Sequence, residues 1–270
     1  MNSMKTFLTV MAVLTISSAV VILADQKNVS QNQTNVAAVP EVKIHLAGNP
    51  ATSLKKVTAK IVYFMPKDLT GQTESDWRSV VDKTMRGEQE FYNFQLKNAL
   101  RLNYEIYGSP VVGLENHLFY DSDVTDRGNP HALIAAREEV LKRIIAPTGD
   151  LYRADFVKPS SDYEIIIIIY GGTGASAMIY KQGGNGEDVV KIEDSGPPAI
   201  ILSSAFLTSP LYREFGPTIL AHEIGHAFGL DDSYDPNTGS NLGTDLMGEG
   251  RRRILSATYL SDENKKLLGL

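Results

Sequence analysis

Between Tyr163 and Tyr170 the chain runs through Glu164 and then five consecutive isoleucines. Successive side chains of a strand point to opposite faces, so an unbroken apolar run has to bury both. β-Branched side chains also lose rotamer freedom in a helix and sit well on a pleated strand. A strand covered on both faces belongs in the middle of an α/β sheet, not in a half-solvated antiparallel one. Gly171-Gly172-Thr173-Gly174 then breaks the chain. No Lys-Ser/Thr pair follows and the wider spacing of a dinucleotide loop is missing, so the cluster reads as a turn.

Strand and helix signals alternate around this run. Lys56–Phe64 is rich in β-formers and stops before Pro66, a first strand. Asp76–Leu102 repeats apolar residues at helical spacing without a proline, which predicts one long helix, followed by a short strand over 102–107. Ala132–Ile145, stopped by Pro147, predicts a second helix. Ala175–Tyr180 suits a short strand before the polar loop Gln182–Asp188, and Ala199–Ser204 is another buried strand. Arg213–Leu230 and Ser256–Leu268 are the remaining helices. Strands alternating with helices indicate an α/β fold with a mostly parallel sheet.

The N-terminal segment bears on compartment. Lys5 precedes the uncharged stretch Thr6–Ala24, rich in Val, Leu, Ile and Ala. Its length exceeds the usual signal-peptide core and approaches a membrane span, while five Ser/Thr thin its apolar density. Residues 1–24 are expected to be a cleaved export signal, which implies a secreted or periplasmic protein. An uncleaved membrane anchor is the second choice. Residues 25–55 read as a polar linker containing Asn28-Val29-Ser30 and Asn32-Gln33-Thr34, which are glycosylation acceptors or ordinary polar tripeptides. With 26 Lys/Arg against 32 Asp/Glu, the net charge of −6 supplies no dense basic face, which argues against a nucleic-acid partner. The chain has no cysteine, which excludes disulfides, Cys-ligated zinc, iron–sulfur clusters and a thiol nucleophile.

Chemistry is concentrated in His222-Glu223-Ile224-Gly225-His226. On a helix, residues i and i+4 share a face, so both imidazoles point to one locus. Glu223 lies close enough to reach a water at that locus without being a ligand. Two His ligands and a general base are the arrangement of a zinc hydrolase. Gly229 can end the helix at positive φ, and the returning chain can bring the carboxylate of Asp232 to the same place. Asp245-Leu246-Met247-Gly248 follows downstream. In a chain with five histidines the HExxH string arises by chance with probability roughly 0.005, and with Gly229 and Asp232 included about 3 × 10⁻⁵. That sets aside the competing picture of two solvated histidines on an amphipathic helix.

HEIGHAFGLDD with the downstream DLMG resembles the metzincin clan of zinc endopeptidases, whose pattern is HExxHxxGxx(H/D) plus a methionine turn. The Asp variant is similar to snapalysin-like members. The motif match is specific over about 30 residues, and the element order agrees more loosely over 56–270. The resemblance implies a metzincin-like catalytic domain over 56–270. Its mixed, mostly parallel sheet would pack with a long helix and an active-site helix, and a small C-terminal subdomain would carry the methionine turn and last helix. It further implies one zinc ion bound by His222, His226 and Asp232, with Glu223 polarising the catalytic water and Met247 as the hydrophobic base beneath the metal. Asp231 and Asp235 are competing carboxylates, but only Asp232 has the pattern's offset from His226. Ala175–Tyr180 would be the sheet edge on which substrate pairs.

There are departures. The third ligand is Asp where His is commoner, and Glu249 stands where several clan families place a tyrosine. Arg251-Arg252-Arg253, after the turn, either lend a guanidinium to the pocket beyond the cut or form a solvated basic run. The expected activity is that of an exported zinc-dependent endopeptidase acting on protein or peptide substrates through a zinc-bound water activated by Glu223. The alternative from another class is a secreted zinc-binding or adhesion module with a catalytically silent fold. Glu223 argues against it, since a metal scaffold does not need that carboxylate. A zinc amidase acting on non-protein amides is a third reading.

Overall fold

The computed structural model describes residues 42–44, 52–54, 56–73, 75–121, 130–145, 162–173, 175–179, 189–191, 199–233 and 243–270. All of them belong to one compact unit, Val39–Leu270. The leader expected at 1–24, both Asn acceptors, the Gln182–Asp188 loop and Asp235 lie outside the described residues.

Within the segment read as linker, β1 (Val42–Ile44) and β2 (Thr52–Leu54) pair antiparallel as a separate small sheet. The main sheet begins with β3 (Lys56–Met65), followed by a 3-10 turn at Lys67–Gln72 and α1 (Trp77–Gln95). Next come β4 (Arg101–Ile106), β5 (Val111–Val112), the single turn α2 (His117–Tyr120) and α3 (Pro130–Ile145). The isoleucine run is β6 (Asp162–Tyr170), and β7 (Ala175–Ile179), β8 (Val189–Lys191) and β9 (Ala199–Ser203) complete the strands. Then follow α4 (Ala205–Thr208), α5 (Gly216–Ala227), 3-10 turns at Glu249–Arg252 and Leu255–Ala257, and α6 (Asp262–Leu267).

The sheet order is β4-β3-β6-β9-β7-β8, with β5 beside the C-terminal end of β3. All pairings are parallel except β7 with β9. β6 is central: Ile167 registers with Ile61 of β3 and Ile200 of β9. Each of its five isoleucines is at most 1% exposed, as a strand buried on both faces requires. One face, with Ile61, Tyr63, Ile167 and Leu202, packs into a core with Met85 and Tyr92 of α1 and Ile224 of α5. The other, with Val62, Phe64, Ile166 and Ile168, packs with Ala136 and Val140 of α3. Helices on both faces of a mostly parallel sheet make an α/β fold.

Beyond the small sheet inside the expected linker, the structure differs from the sequence expectations at further places. The long helix ends at Gln95, not Leu102, because Lys97 and Asn98 take positive φ (51° and 58°) and turn the chain into β4. Leu96, Ala99 and Leu100 continued the apolar rhythm because they are buried in the turn. The site helix starts at Gly216, where Pro217 in the first turn fits a helix start, and 209–215 are turns. The last helix splits into a 3-10 turn and α6, whose start is capped by Ser261. Finally, β7 is not the sheet edge: β8 pairs along its outer side through Ala177–Ile179, covering backbone groups that an edge strand would expose.

Candidate metal centre

Helix α5 is held against the sheet and α1 by an almost wholly apolar surface, and every residue from Leu220 to Phe228 is buried. Its end explains the spacing of the motif. Leu230 N–H bonds to Gly225 O (3.1 Å) and Gly229 N–H to His226 O (2.8 Å), with Gly229 at φ 86°. This pair of bonds around a left-handed residue satisfies the last carbonyls and reverses the chain. The reversal brings the Leu230 carbonyl to His226 and, two residues later, Asp232 to the helix face.

His222 and His226 are 1% and 0% exposed. Their Nδ1 atoms lie 2.9 Å from the carbonyl oxygens of Leu246 and Leu230, respectively. A carbonyl only accepts, so each Nδ1 carries the hydrogen, and in its neutral form each ring presents its Nε2 lone pair. The two Nε2 atoms stand 3.1 Å apart. Asp232 Oδ1 lies 3.3 Å from one and 3.5 Å from the other. Contacts of that length are too long for good hydrogen bonds. Among the described residues neither Asp232 oxygen accepts a hydrogen bond.

Three electron-rich atoms thus converge in a buried space, an arrangement that calls for a positive charge between them. Burial, the largest influence on His222, holds its imidazole below the ordinary range. Burial also opposes charge on His226, yet Asp232 beside it lifts that imidazole above its ordinary range, helped by Glu223. Burial works against an ionised Asp232, but the two imidazoles outweigh it and hold the carboxyl well below the usual carboxylate range. Ligands about 2.0–2.1 Å from a tetrahedral zinc ion stand roughly 3.3–3.4 Å from one another. The observed separations of 3.1, 3.3 and 3.5 Å bracket that value, so two neutral imidazoles and one carboxylate fit such an ion. Among the described residues, these three form the one His/Asp/Glu group able to hold a metal.

Glu223 is 3% exposed and acts electrostatically on His226. Asp231, the neighbouring competitor, is exposed and stands outside the cluster. Met247 is fully buried against α5, and Glu249 sits on the following 3-10 turn. Arg252 and Arg253 are exposed, with Arg252 paired to Glu249 at 3.4 Å. Sequence reasoning missed the carbonyls of Leu230 and Leu246, which aim the imidazoles, since a backbone group leaves no mark in side-chain identity. It also missed Tyr92, whose hydroxyl donates to Ala221 O (2.5 Å) and whose ring meets Phe228 edge-on at 5.2 Å.

No protein-family model and no curated protein sequence matches the chain. Among solved structures it is similar to metalloproteinase-II from Bacteroides fragilis, with 15% identity over 86% of this chain and 57% of that one, at a TM-score of 0.39. The chain therefore spans just over half the length of that protein. It is also similar to a zinc-dependent peptidase from Methanocorpusculum labreanum, with 14% identity over 77% of this chain and 99% of that one, at a TM-score of 0.35.

Proposed function

We propose that this chain is an exported zinc-dependent endopeptidase of metzincin type, with His222, His226 and Asp232 as the ligands of one zinc ion and Glu223 as the catalytic base. The observation that carries the reading is the convergence of two Nε2 lone pairs and one carboxylate oxygen within 3.5 Å, with a fourth polar side chain, Glu223, on the same helix. Export rests on the apolar stretch Thr6–Ala24.

When bound, zinc supplies a Lewis acid able to polarise water and a carbonyl. The chain's own residues do the rest. The Leu246 and Leu230 carbonyls fix the tautomer and ring orientation of His222 and His226, so both Nε2 atoms stay aimed at one point. Asp232 contributes the negative charge of the ligand set. Glu223 accepts a proton from the attacking water as its oxygen bonds to the scissile carbonyl carbon. It then returns that proton to the amide nitrogen as the C–N bond breaks, so atoms and protons balance. Glu223, a carboxylate beside the ligands and not among them, gives simple metal storage nothing.

The test is a casein digest with and without a chelator, run beside Glu223→Ala and a zinc assay of both proteins. We expect the variant to fold, keep its zinc and lose about 10²–10⁴-fold in rate. Loss of activity only together with zinc would make Glu223 structural. A wild-type protein that binds zinc and cleaves nothing would point to the binding module instead.

A further inference from the structure

The helical ligands are aimed by two non-helical arms, Leu230–Ser233 and Asp245–Met247, and both arms converge on one buried side chain of the C-terminal helix. Asn264 of α6 is 5% exposed. Its Nδ2 donates to Asp245 Oδ2 at 3.1 Å, with Oδ1 at 3.4 Å, and reaches Ser233 Oγ at 3.5 Å. An amide nitrogen carries two hydrogens, so it can serve both arms at once. Asp245 is fully buried, and its Oδ1 also accepts from Ser261 N–H at 2.9 Å. Ser261 in turn caps α6 by accepting from Asn264 N–H at 3.2 Å. The arms are tied to each other by Ser233 N–H to Met247 O at 2.7 Å.

Each arm leads straight to the cluster. Asp245 is followed by Leu246, whose carbonyl receives the His222 Nδ1 hydrogen and whose N–H bonds to Tyr259 O at 2.7 Å. Ser233 follows Asp232. A buried carboxylate oxygen stripped of its donor is costly, so losing the amide that serves Oδ2 would drive Asp245 to shift and carry the Leu246 carbonyl with it. Groups that orient metal ligands typically govern affinity by 10–100-fold.

We propose that Asn264, acting through Asp245 and Ser233, is a positioning residue for metal binding, coupling the C-terminal helix to the aim of His222 and Asp232. The proposal rests on the zinc reading above. The competing account is that these bonds merely dock α6, whose C-cap residue Leu268 is itself fully buried in the core.

Zinc dissociation constants, measured on the full chain by competition with a chromogenic chelator, separate the two accounts. Urea unfolding of the metal-free proteins and the visible spectrum of the cobalt-substituted forms accompany them. Asn264→Ala should weaken zinc binding by about 10-fold or more and change the cobalt spectrum. Leu268→Ala should lower the urea midpoint and leave zinc affinity unchanged. Asn264→Asp alone should weaken zinc, because it sets an acceptor against an acceptor. The exchanged pair Asp245→Asn with Asn264→Asp restores a donor facing a carboxylate and should regain most of the affinity. This rescue carries the test even if Asn264→Ala does not fold.

Wild-type affinity in Asn264→Ala, equal weakening in Leu268→Ala, or no rescue by the exchanged pair would overturn the positioning role while leaving the zinc site standing. A wild-type chain that binds no zinc would overturn the zinc reading, and this inference with it.

Discussion

Met247 occupies the space that a side chain at Gly225 would need: a Cβ on Gly225 would lie 2.5 Å from the Met247 sulfur and 3.2 Å from its methyl carbon. The helix turn between the two histidines and the loop that orients His222 are therefore in direct contact, because residue 225 has no side chain. Gly225→Ala would gain about 1 kcal/mol in helix propensity. Against this stands overpacking of a fully buried methionine, which costs roughly 1–3 kcal/mol. The clash should win, giving a net loss of about 1 kcal/mol. Met247→Ala alone leaves a cavity, but the double variant should be more stable than the sum of the single losses allows, by about 1 kcal/mol or more. Denaturant unfolding of the four metal-free proteins measures this coupling, and strict additivity would contradict the contact.

Asp232 is the one charged member of the proposed ligand set, and it arrives on a chain reversal, not on the helix. Asp232→Ala should strongly weaken zinc binding. Asp232→His should retain it, since imidazole and carboxylate both suit tetrahedral zinc. Metal analysis after dialysis decides: full occupancy in Asp232→Ala would remove it from the ligand set and reopen the choice between Asp231 and Asp235.

What could be read from residues alone follows from which interactions leave a side-chain signature. Five β-branched isoleucines in a row suit a strand covered on both faces, and β6 is that strand. The i, i+4 histidines and the Gly229-to-Asp232 spacing likewise encode a helix face and a reversal, and the structure brings His222, His226 and Asp232 together. The backbone carbonyls of Leu230 and Leu246 carry no such mark, and Asn264 lies 38 residues beyond His226 with no motif around it. β8 was illegible for another reason: a three-residue strand has too little pattern, and its pairing with β7 is a tertiary event. The same holds for the end of α1, where buried turn residues kept the helical rhythm after the helix had stopped.

A surface pair away from the cluster should make stability depend on pH. His117 Nδ1 lies 2.5 Å from Asp68 Oδ2, and the His117 N–H bonds to Asp68 Oδ1 at 2.8 Å, joining α2 to the 3-10 turn at Lys67–Gln72. The hydrogen bond to Asp68 raises His117 above its ordinary value of 6.5. Burial works against ionised Asp68, but its bonds to His117 hold it below 3.8. A raised His stabilises fully below its unfolded value and loses that contribution as pH rises through the folded one. A lowered Asp stabilises above its unfolded value and loses it as pH falls. The pair therefore contributes most between 3.8 and 6.5. Asp68→Ala should lower the melting temperature more at pH 5.5 than at pH 9, and NMR titration of His117 should show its pKa fall in the variant. An equal loss at both pH values would mean that the ion pair contributes nothing.

The last prediction concerns a carboxyl in the wrong surroundings. Glu88 of α1 is fully buried, and among the described residues neither of its side-chain oxygens has a hydrogen-bond partner. Burial pushes its carboxyl well above the ordinary range, and burial, with the Glu88 charge second, also raises Tyr92, which grips α5 through Ala221. A carboxyl raised in the folded state binds its proton more tightly there than in the unfolded chain. Stability is then lost as pH rises from the unfolded value of 4.5 toward the folded one. Replacing a buried, unpartnered polar group by an apolar one of similar volume removes a desolvation cost of roughly 1–3 kcal/mol. Glu88→Leu should therefore unfold at higher denaturant than the wild type at neutral pH, with a gain that grows between pH 4 and pH 8. Denaturant unfolding across that range provides the check. A variant less stable than the wild type would show that the Glu88 carboxyl anchors α1 instead of burdening it.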